Sequence, residues 1–180
     1  MIEGLLLVDL QNDYFTGGKM ELVDMEKASA NAKRLLKAFR EQDLPIIHIQ
    51  HISNRPGAGF FLPETDGAEI NKMVTPQAGE MVVTKSFPNS FRETELLEVL
   101  KKLDIGKLLI CGAMSHMCID ATTRAAFDFG FICRVAEDAC ATRNLAFRGR
   151  SIAAADVHAA FMAALSVPYA EIVTTGEIIG

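Results

Sequence analysis

The chain is short of the features that mark nucleic-acid, membrane, redox and metal proteins. Its 18 Lys and Arg are outnumbered by 23 Asp and Glu, giving a net charge of -5. A nucleic-acid surface needs a basic patch, so that partner is not expected. No apolar run approaches the roughly 18–20 residues that span a bilayer, so no membrane partner is expected either. A strand-like run begins by Gly4 with no basic n-region or cleavable apolar region before it. No signal peptide is therefore expected, and the location reads as cytoplasmic. The four cysteines form no C-x-x-C pair, which removes the usual redox motif and zinc knuckle. The four histidines form no H-x-x-x-H cluster, so neither a metal nor another cofactor is expected. After the first strand-like run comes Leu10-Gln11-Asn12-Asp13, not the glycine-rich turn of a nucleotide-binding module.

What is present is an ordinary globular composition, 49% hydrophobic and 23% charged over 180 residues. That length suits one domain, residues 1–180. Strands are predicted over Gly4–Asp9, Pro45–Gln50, Met81–Thr84, Lys107–Gly112, Phe131–Ala136 and Glu171–Thr174. Continuous apolar runs of this length suit strands covered on both faces. Between them, apolar residues recur at helical spacing: Ala28, Ala32, Leu35, Leu36 and Phe39, then Leu96, Leu97, Leu100 and Leu103, then Ile152, Ala155, Ala159, Met162 and Ala163. Ser90-Phe91-Arg92-Glu93 has the capping-box pattern and is expected to start the second helix. This alternation predicts an α/β fold, a parallel sheet with helices on both faces. The connection Ser53–Gly79 breaks the rhythm. It is rich in Pro and Gly yet carries Phe60, Phe61 and Leu62, which suits a pocket wall or a subunit contact.

Three polar residues stand at or beyond strand ends. Asp9 closes Leu5-Leu6-Leu7-Val8, Lys85 closes Met81-Val82-Val83-Thr84, and Cys118 follows Leu108-Leu109-Ile110-Cys111-Gly112. Open α/β sheets bind ligands outside the carboxyl ends of their strands. An acid, an amine and a thiol meeting there suit nucleophilic catalysis by a thiolate. Ser115 is expected to cap a helix running to about Gly130, with Cys118 in its first turn, where a helix N-terminus would lower the thiol pKa. Asp9 is the expected proton acceptor, and Asp13 is the competing carboxylate with an Asx-turn role as the plainer reading. His116 lies two residues before Cys118, which does not place the two face to face on a helix. A pocket-rim place is preferred for it. His48 and His51, three apart on one strand, point to opposite faces.

The stretches Leu7-Val8-Asp9-Leu10-Gln11-Asn12-Asp13, Lys85-Ser86-Phe87-Pro88-Asn89-Ser90-Phe91 and Cys111-Gly112-Ala113-Met114-Ser115-His116-Met117-Cys118 together resemble the isochorismatase-like cysteine hydrolases. That family includes nicotinamidase, N-carbamoylsarcosine amidase, ureidoacrylate amidohydrolase and streptothricin hydrolase. Asp120-Ala121-Thr122-Thr123-Arg124-Ala125-Ala126 and Asp138-Ala139-Cys140 extend the likeness. The resemblance implies a three-layer Rossmann-like fold with a six-stranded parallel sheet. It implies a catalytic triad of Asp9, Lys85 and Cys118, and a cis peptide at Ala113–Met114. The N–H groups of Met114 and Cys118 would then form the oxyanion hole. The implied activity is hydrolysis of a small amide or ureide through a thioester, in a homodimer or homotetramer. Phe15, Phe60, Phe61, Leu62, Phe87 and Met114 are the expected pocket walls, with His116 at the rim. Nicotinamidases carry Asp-x-His and a further His after the second strand. Here the region reads Gln50-His51-Ile52-Ser53. Siderophore isochorismatases lack the nucleophilic Cys, so Cys118 departs from them. The alternatives are a metal-dependent nicotinamidase, a thiol redox sensor, or a non-catalytic scaffold.

Overall fold

A computed structural model describes residues 1–180. In chain order the main elements are β1 (Ile2–Val8), α1 (Met25–Glu41), β2 (Ile46–His51), β3 (Met81–Lys85), α2 (Leu96–Lys102) and β4 (Ile105–Ala113). There follow α3 (Asp120–Asp128), β5 (Ile132–Ala141), β6 (Leu145–Phe147), β7 (Arg150–Ile152), α4 (Ala154–Leu165), β8 (Glu171–Val173) and α5 (Thr175–Ile179). Six strands form one sheet in the order β3-β2-β1-β4-β5-β8, with every pair parallel. No helix is long and apolar enough to cross a membrane.

The period of two along a strand divides this sheet into two apolar faces. Leu5 and Leu7 of β1 join Leu109 and Cys111 of β4 in a core under α1, which contributes Ala28, Ala32, Leu35, Leu36 and Phe39. Leu6 and Val8 join Leu108 and Ile110 on the other face, against Leu96 and Leu100 of α2 and Ala126 of α3. All four β1 side chains are at most 1% exposed. Burial of each leucine stabilises the fold by about 2 kcal/mol. Both faces being covered explains why the strands read as unbroken apolar runs.

One close approach sets the register near the site. Gly112 has φ 124°, and a Cβ there would lie 2.0 Å from the Val8 carbonyl oxygen. Only glycine fits that conformation and that space. The β4–β5 register shifts between Ile110 and Gly112, so Ala113 comes to lie opposite Ala141.

Several local expectations are corrected. Ser90–Glu93 does not start a helix, because α2 begins at Leu96. The Ser90 hydroxyl pairs with Thr122 Oγ1 at 2.8 Å, and Glu93 sits at φ 57°, so neither half of a capping box can form. Ser115 does not cap. It opens a wide π-type turn, Ser115–Ile119, and its hydroxyl goes to the Ala141 carbonyl (3.3 Å) and His158 Nδ1 (2.9 Å). The helix that follows, α3, stops at Asp128 rather than Gly130. Ile152 belongs to a β6–β7 hairpin that the sequence reading did not foresee.

Candidate active site

β1 and β3 are separated by β2, yet their C-terminal ends converge with the turn after β4. Asp9, Lys85 and Cys118 are 0%, 2% and 3% exposed. Burying three titratable side chains is costly unless they satisfy one another, and these do. Lys85 Nζ donates to Asp9 Oδ2 at 2.8 Å and to Cys118 Sγ at 3.2 Å. It also lies 3.0 Å from His51 Nδ1 and 3.1 Å from the Phe87 carbonyl oxygen. Burial disfavours the Lys85 ammonium, but Asp9 and Cys118 outweigh that and raise its pKa above the ordinary lysine value. Asp9 Oδ1 is buried with no hydrogen-bond partner. It is a free acceptor within the same small space.

The thiol behaves differently from the sequence expectation. Burial, then the Asp9 carboxylate, push the Cys118 pKa well above that of a free cysteine, against the opposing pull of Lys85. A helix-terminus effect does not dominate here. The turn is not a regular helix start, and the sulfur lies next to a buried carboxylate. Burial and the carboxylate both favour the thiol form, so forming the thiolate calls for a proton acceptor. The other thiols lack a neighbouring cation: Cys133 and Cys140 are each pushed up to about 12, led by burial, and Cys111 is also raised.

Two site residues escaped the sequence reading. His51 ends β2 directly opposite Lys85 in the parallel register, which sets its ring beside the ammonium. Its backbone is clamped by the Gln11 amide, which accepts from His51 N–H (2.7 Å) and donates to His51 O (2.8 Å). Tyr14 is 2% exposed and packs on Phe61 (ring centroids 4.5 Å apart) and Phe60 (5.9 Å). Burial first, then Cys118 and Asp9, raise its pKa well above the usual phenol value. The separation of His48 from His51 did hold. His48 faces away and pairs with Glu80 Oε2 at 2.8 Å.

The remaining candidates divide. Phe61 is fully buried at φ 54°, its N–H held by Asp13 Oδ2 at 2.7 Å, and it stacks toward His51 (5.8 Å between centroids). Asp13 also accepts from Lys19 N–H at 3.2 Å, so it is a loop clamp and does not touch the thiol's partners. Phe60 is half-buried over Tyr14. Phe87 enters through its carbonyl oxygen; its ring lies 3.7 Å under the Arg92 guanidinium. Leu62 is half-buried and not part of the aromatic group, with its carbonyl held by Thr65. Phe15 is buried in the α1-side core and borders a separate polar cavity of about 700 Å³ with Lys19 and Asp66. His116 Nδ1 lies 2.6 Å from Thr142 Oγ1 and its ring meets Phe161, apart from the Lys85 cluster. The Ala113–Met114 peptide is cis, and Met114 O accepts from the N–H groups of Met117 and Ile119 as the turn begins. A cavity of about 800 Å³ bordered by Glu3, Lys107 and Arg134 lies at the opposite end of the sheet and holds none of these groups.

Asp9, His51 and Cys118 bring three possible metal-ligand atoms within 4.8 Å of one another, a set no spacing in the sequence announced. The Lys85 ammonium stands 2.8 to 3.2 Å from an atom of each. A cation already fills that position, so the donor set does not fit a metal ion while Lys85 is in place.

Comparison with known proteins places the chain in a family. Residues 3–177 match the family model of the isochorismatase domain. The chain is 48% identical over 175 residues to the isochorismatase family protein YddQ of Bacillus subtilis strain 168, covering 97% of each. It is 31% identical over 144 residues to a streptothricin hydrolase of Streptomyces noursei, covering 80% of this chain and 56% of that one. The crystal structure of an isochorismatase-type hydrolase from Oleispira antarctica superposes with a TM-score of 0.96 at 51% identity, covering 99% of this chain and 96% of that one. The chain belongs to the isochorismatase family.

Proposed function

We propose that the protein hydrolyses a small amide or ureide-type C–N bond, with Cys118 as nucleophile and a thioester as intermediate. The observation that carries this reading is Lys85 Nζ lying within hydrogen-bond distance of both Asp9 Oδ2 and Cys118 Sγ. A buried acid and thiol sharing one ammonium can exchange a proton without creating an unpaired charge. Streptothricin hydrolase, a relative, is a hydrolase by name, and the three motifs resemble those of amide-cleaving cysteine hydrolases.

The steps follow from the positions. Asp9 takes the Cys118 proton, for which Oδ1 is free. The thiolate attacks the substrate carbonyl carbon, and the C=O electron pair moves onto oxygen. The N–H groups of Met114 and Cys118, on the turn after β4, hold that oxyanion. Donors so placed typically contribute about 3–4 kcal/mol each to the transition state. Asp9 then gives its proton to the leaving nitrogen, the C–N bond breaks, and a thioester remains. Asp9 next takes a proton from water, the hydroxide attacks the thioester, and the acid product leaves. Asp9 returns the proton taken from water to the departing Cys118 thiolate, and the cycle closes. General acid–base transfer of this kind supplies roughly 10²–10⁴ in rate. Lys85 stays positive throughout and faces whichever of Asp9 and Cys118 is negative. Phe60, Phe61 and Tyr14 pack together, with Phe61 against His51, and this apolar group suits a small, partly apolar acyl group.

The test is a panel of small amides and ureides assayed for ammonia or amine release, with Cys118→Ala as the blank. Turnover by the wild-type protein that vanishes in the blank supports the reading. Equal release by both proteins refutes it.

A further inference from the structure

An ammonium has three N–H groups. Lys85 Nζ has four acceptors in range: Asp9 Oδ2 at 2.8 Å, His51 Nδ1 at 3.0 Å, Phe87 O at 3.1 Å and Cys118 Sγ at 3.2 Å. Two of these, the carboxylate and the sulfur, exchange charge when the thiol ionises. The other two do not change. His51 is well suited to be a fixed point, because its backbone N–H and C=O are both held by the Gln11 amide and its ring sits beside Phe61.

We propose that His51 is a positioning residue for the Cys118 reaction. As a neutral imidazole protonated on Nε2, it accepts an N–H from Lys85 at Nδ1. With the Phe87 carbonyl, it pins the ammonium so that the third N–H swings between Asp9 and Cys118 as the negative charge moves. The charges facing His51 are consistent with the neutral form. Burial pushes its pKa down to about 4, with Lys85 and Arg55 acting in the same direction and Asp9 opposing them. Asp9 Oδ2 is 3.9 Å from Nδ1, beyond hydrogen-bond range, so the nearer partner is the ammonium. A proton on Nδ1 would point at a positive charge. The inference rests on the reading that Lys85 and Cys118 act together, but not on the identity of the scissile bond.

The experiment measures the rate of Cys118 alkylation by iodoacetamide, read by peptide mapping, with thermal unfolding as the check on folding. This needs no substrate. His51→Leu keeps bulk and removes the acceptor; loss of a hydrogen bond to a charged group should slow alkylation by roughly 10-fold or more. His51→Asn places an amide oxygen near the Nδ1 position and should stay within about threefold of wild type, since the acceptor is restored. In a Lys85→Met background, His51→Leu should have no further effect, because its partner is gone. An unchanged rate in His51→Leu overturns the proposal. So does an Asn variant as slow as Leu, or an undiminished Leu effect without Lys85. If His51→Leu does not fold, ¹⁵N NMR of the wild-type imidazole decides: Nε2–H with a bare Nδ1 is expected, and Nδ1–H refutes it. A failed amide screen alongside the expected alkylation pattern would overturn the proposed function and leave this role standing.

Discussion

Replacing Lys85 by Met keeps side-chain length and apolar volume while removing the charge shared by Asp9 and Cys118. With an effective dielectric near 20, a positive charge 2.8 Å from the carboxylate attracts it by roughly 6 kcal/mol, and one 3.2 Å from a thiolate by roughly 5 kcal/mol. The near equality of the two is informative. Lys85 does not drive the proton one way; it stabilises a single negative charge wherever that charge sits on the pair. Without it, the pair loses roughly 6 kcal/mol of support for that charge. We expect kcat/KM to fall by about 10³-fold or more, with KM changed far less than kcat, and alkylation of Cys118 to slow in parallel. Both rates should rise with pH in the variant, because higher pH favours the Cys118 thiolate that Lys85 no longer supports. The assay is a pH series from 6 to 10 on both proteins, with circular dichroism to confirm the fold. A variant whose kcat is unchanged while KM alone rises would make Lys85 a binding residue and refute the reasoning.

Further outcomes follow from the same geometry. Cys118, the one thiol beside an ammonium, should be labelled before Cys111, Cys133 and Cys140 in peptide mapping; any of those three labelled first removes its special status. Activity should survive prolonged chelation, because Lys85 fills the space among Asp9, His51 and Cys118; loss on chelation with recovery by one metal would revive the metal-dependent reading. Glu80 links Arg40 (2.6 Å), His48 (2.8 Å) and the Gln77 N–H (2.9 Å), so Glu80→Gln should destabilise the fold by about 2–4 kcal/mol at pH 7 in chemical denaturation. Burial pushes the Glu80 carboxyl up, but Arg40, the Gln77 N–H and His48 outweigh it and hold the pKa at about 2. That is below the unfolded value of about 4.3, so its stabilisation is present above that value and is lost as pH falls toward 2. The gap between variant and wild type should therefore narrow from pH 5 downward, and a gap unchanged at pH 3 contradicts the assignment.

The parts of the fold legible in the sequence are those set by burial. Leu5 to Val8 and Leu108 to Ile110 are covered on both faces, and that alone makes them continuous apolar strands. The polar residues closing such runs could be picked out because a buried Asp or Lys at a strand end is otherwise unfavourable. His51 was not legible, since its place beside Lys85 depends on the β2–β3 register, which no local pattern encodes. Tyr14 was missed because the loop around it, held by Asp13 to Phe61, closes over 48 residues of chain. Ser90 and Ser115 misled for a common reason. Each hydroxyl has a tertiary partner, Thr122 for one and Ala141 and His158 for the other, which outcompetes a local cap. The hairpin signal was present in Arg148-Gly149, where both residues take positive φ (48° and 78°) between two short strands.

The most direct test of the central claim is the covalent intermediate. The protein is mixed with an amide that it turns over, quenched in acid within one turnover, and weighed intact by mass spectrometry. An adduct of the acyl group's mass, mapped to Cys118 and absent from Cys118→Ala, is the expected result. Turnover that persists in Cys118→Ala, with no acyl adduct on the wild-type chain, would contradict it.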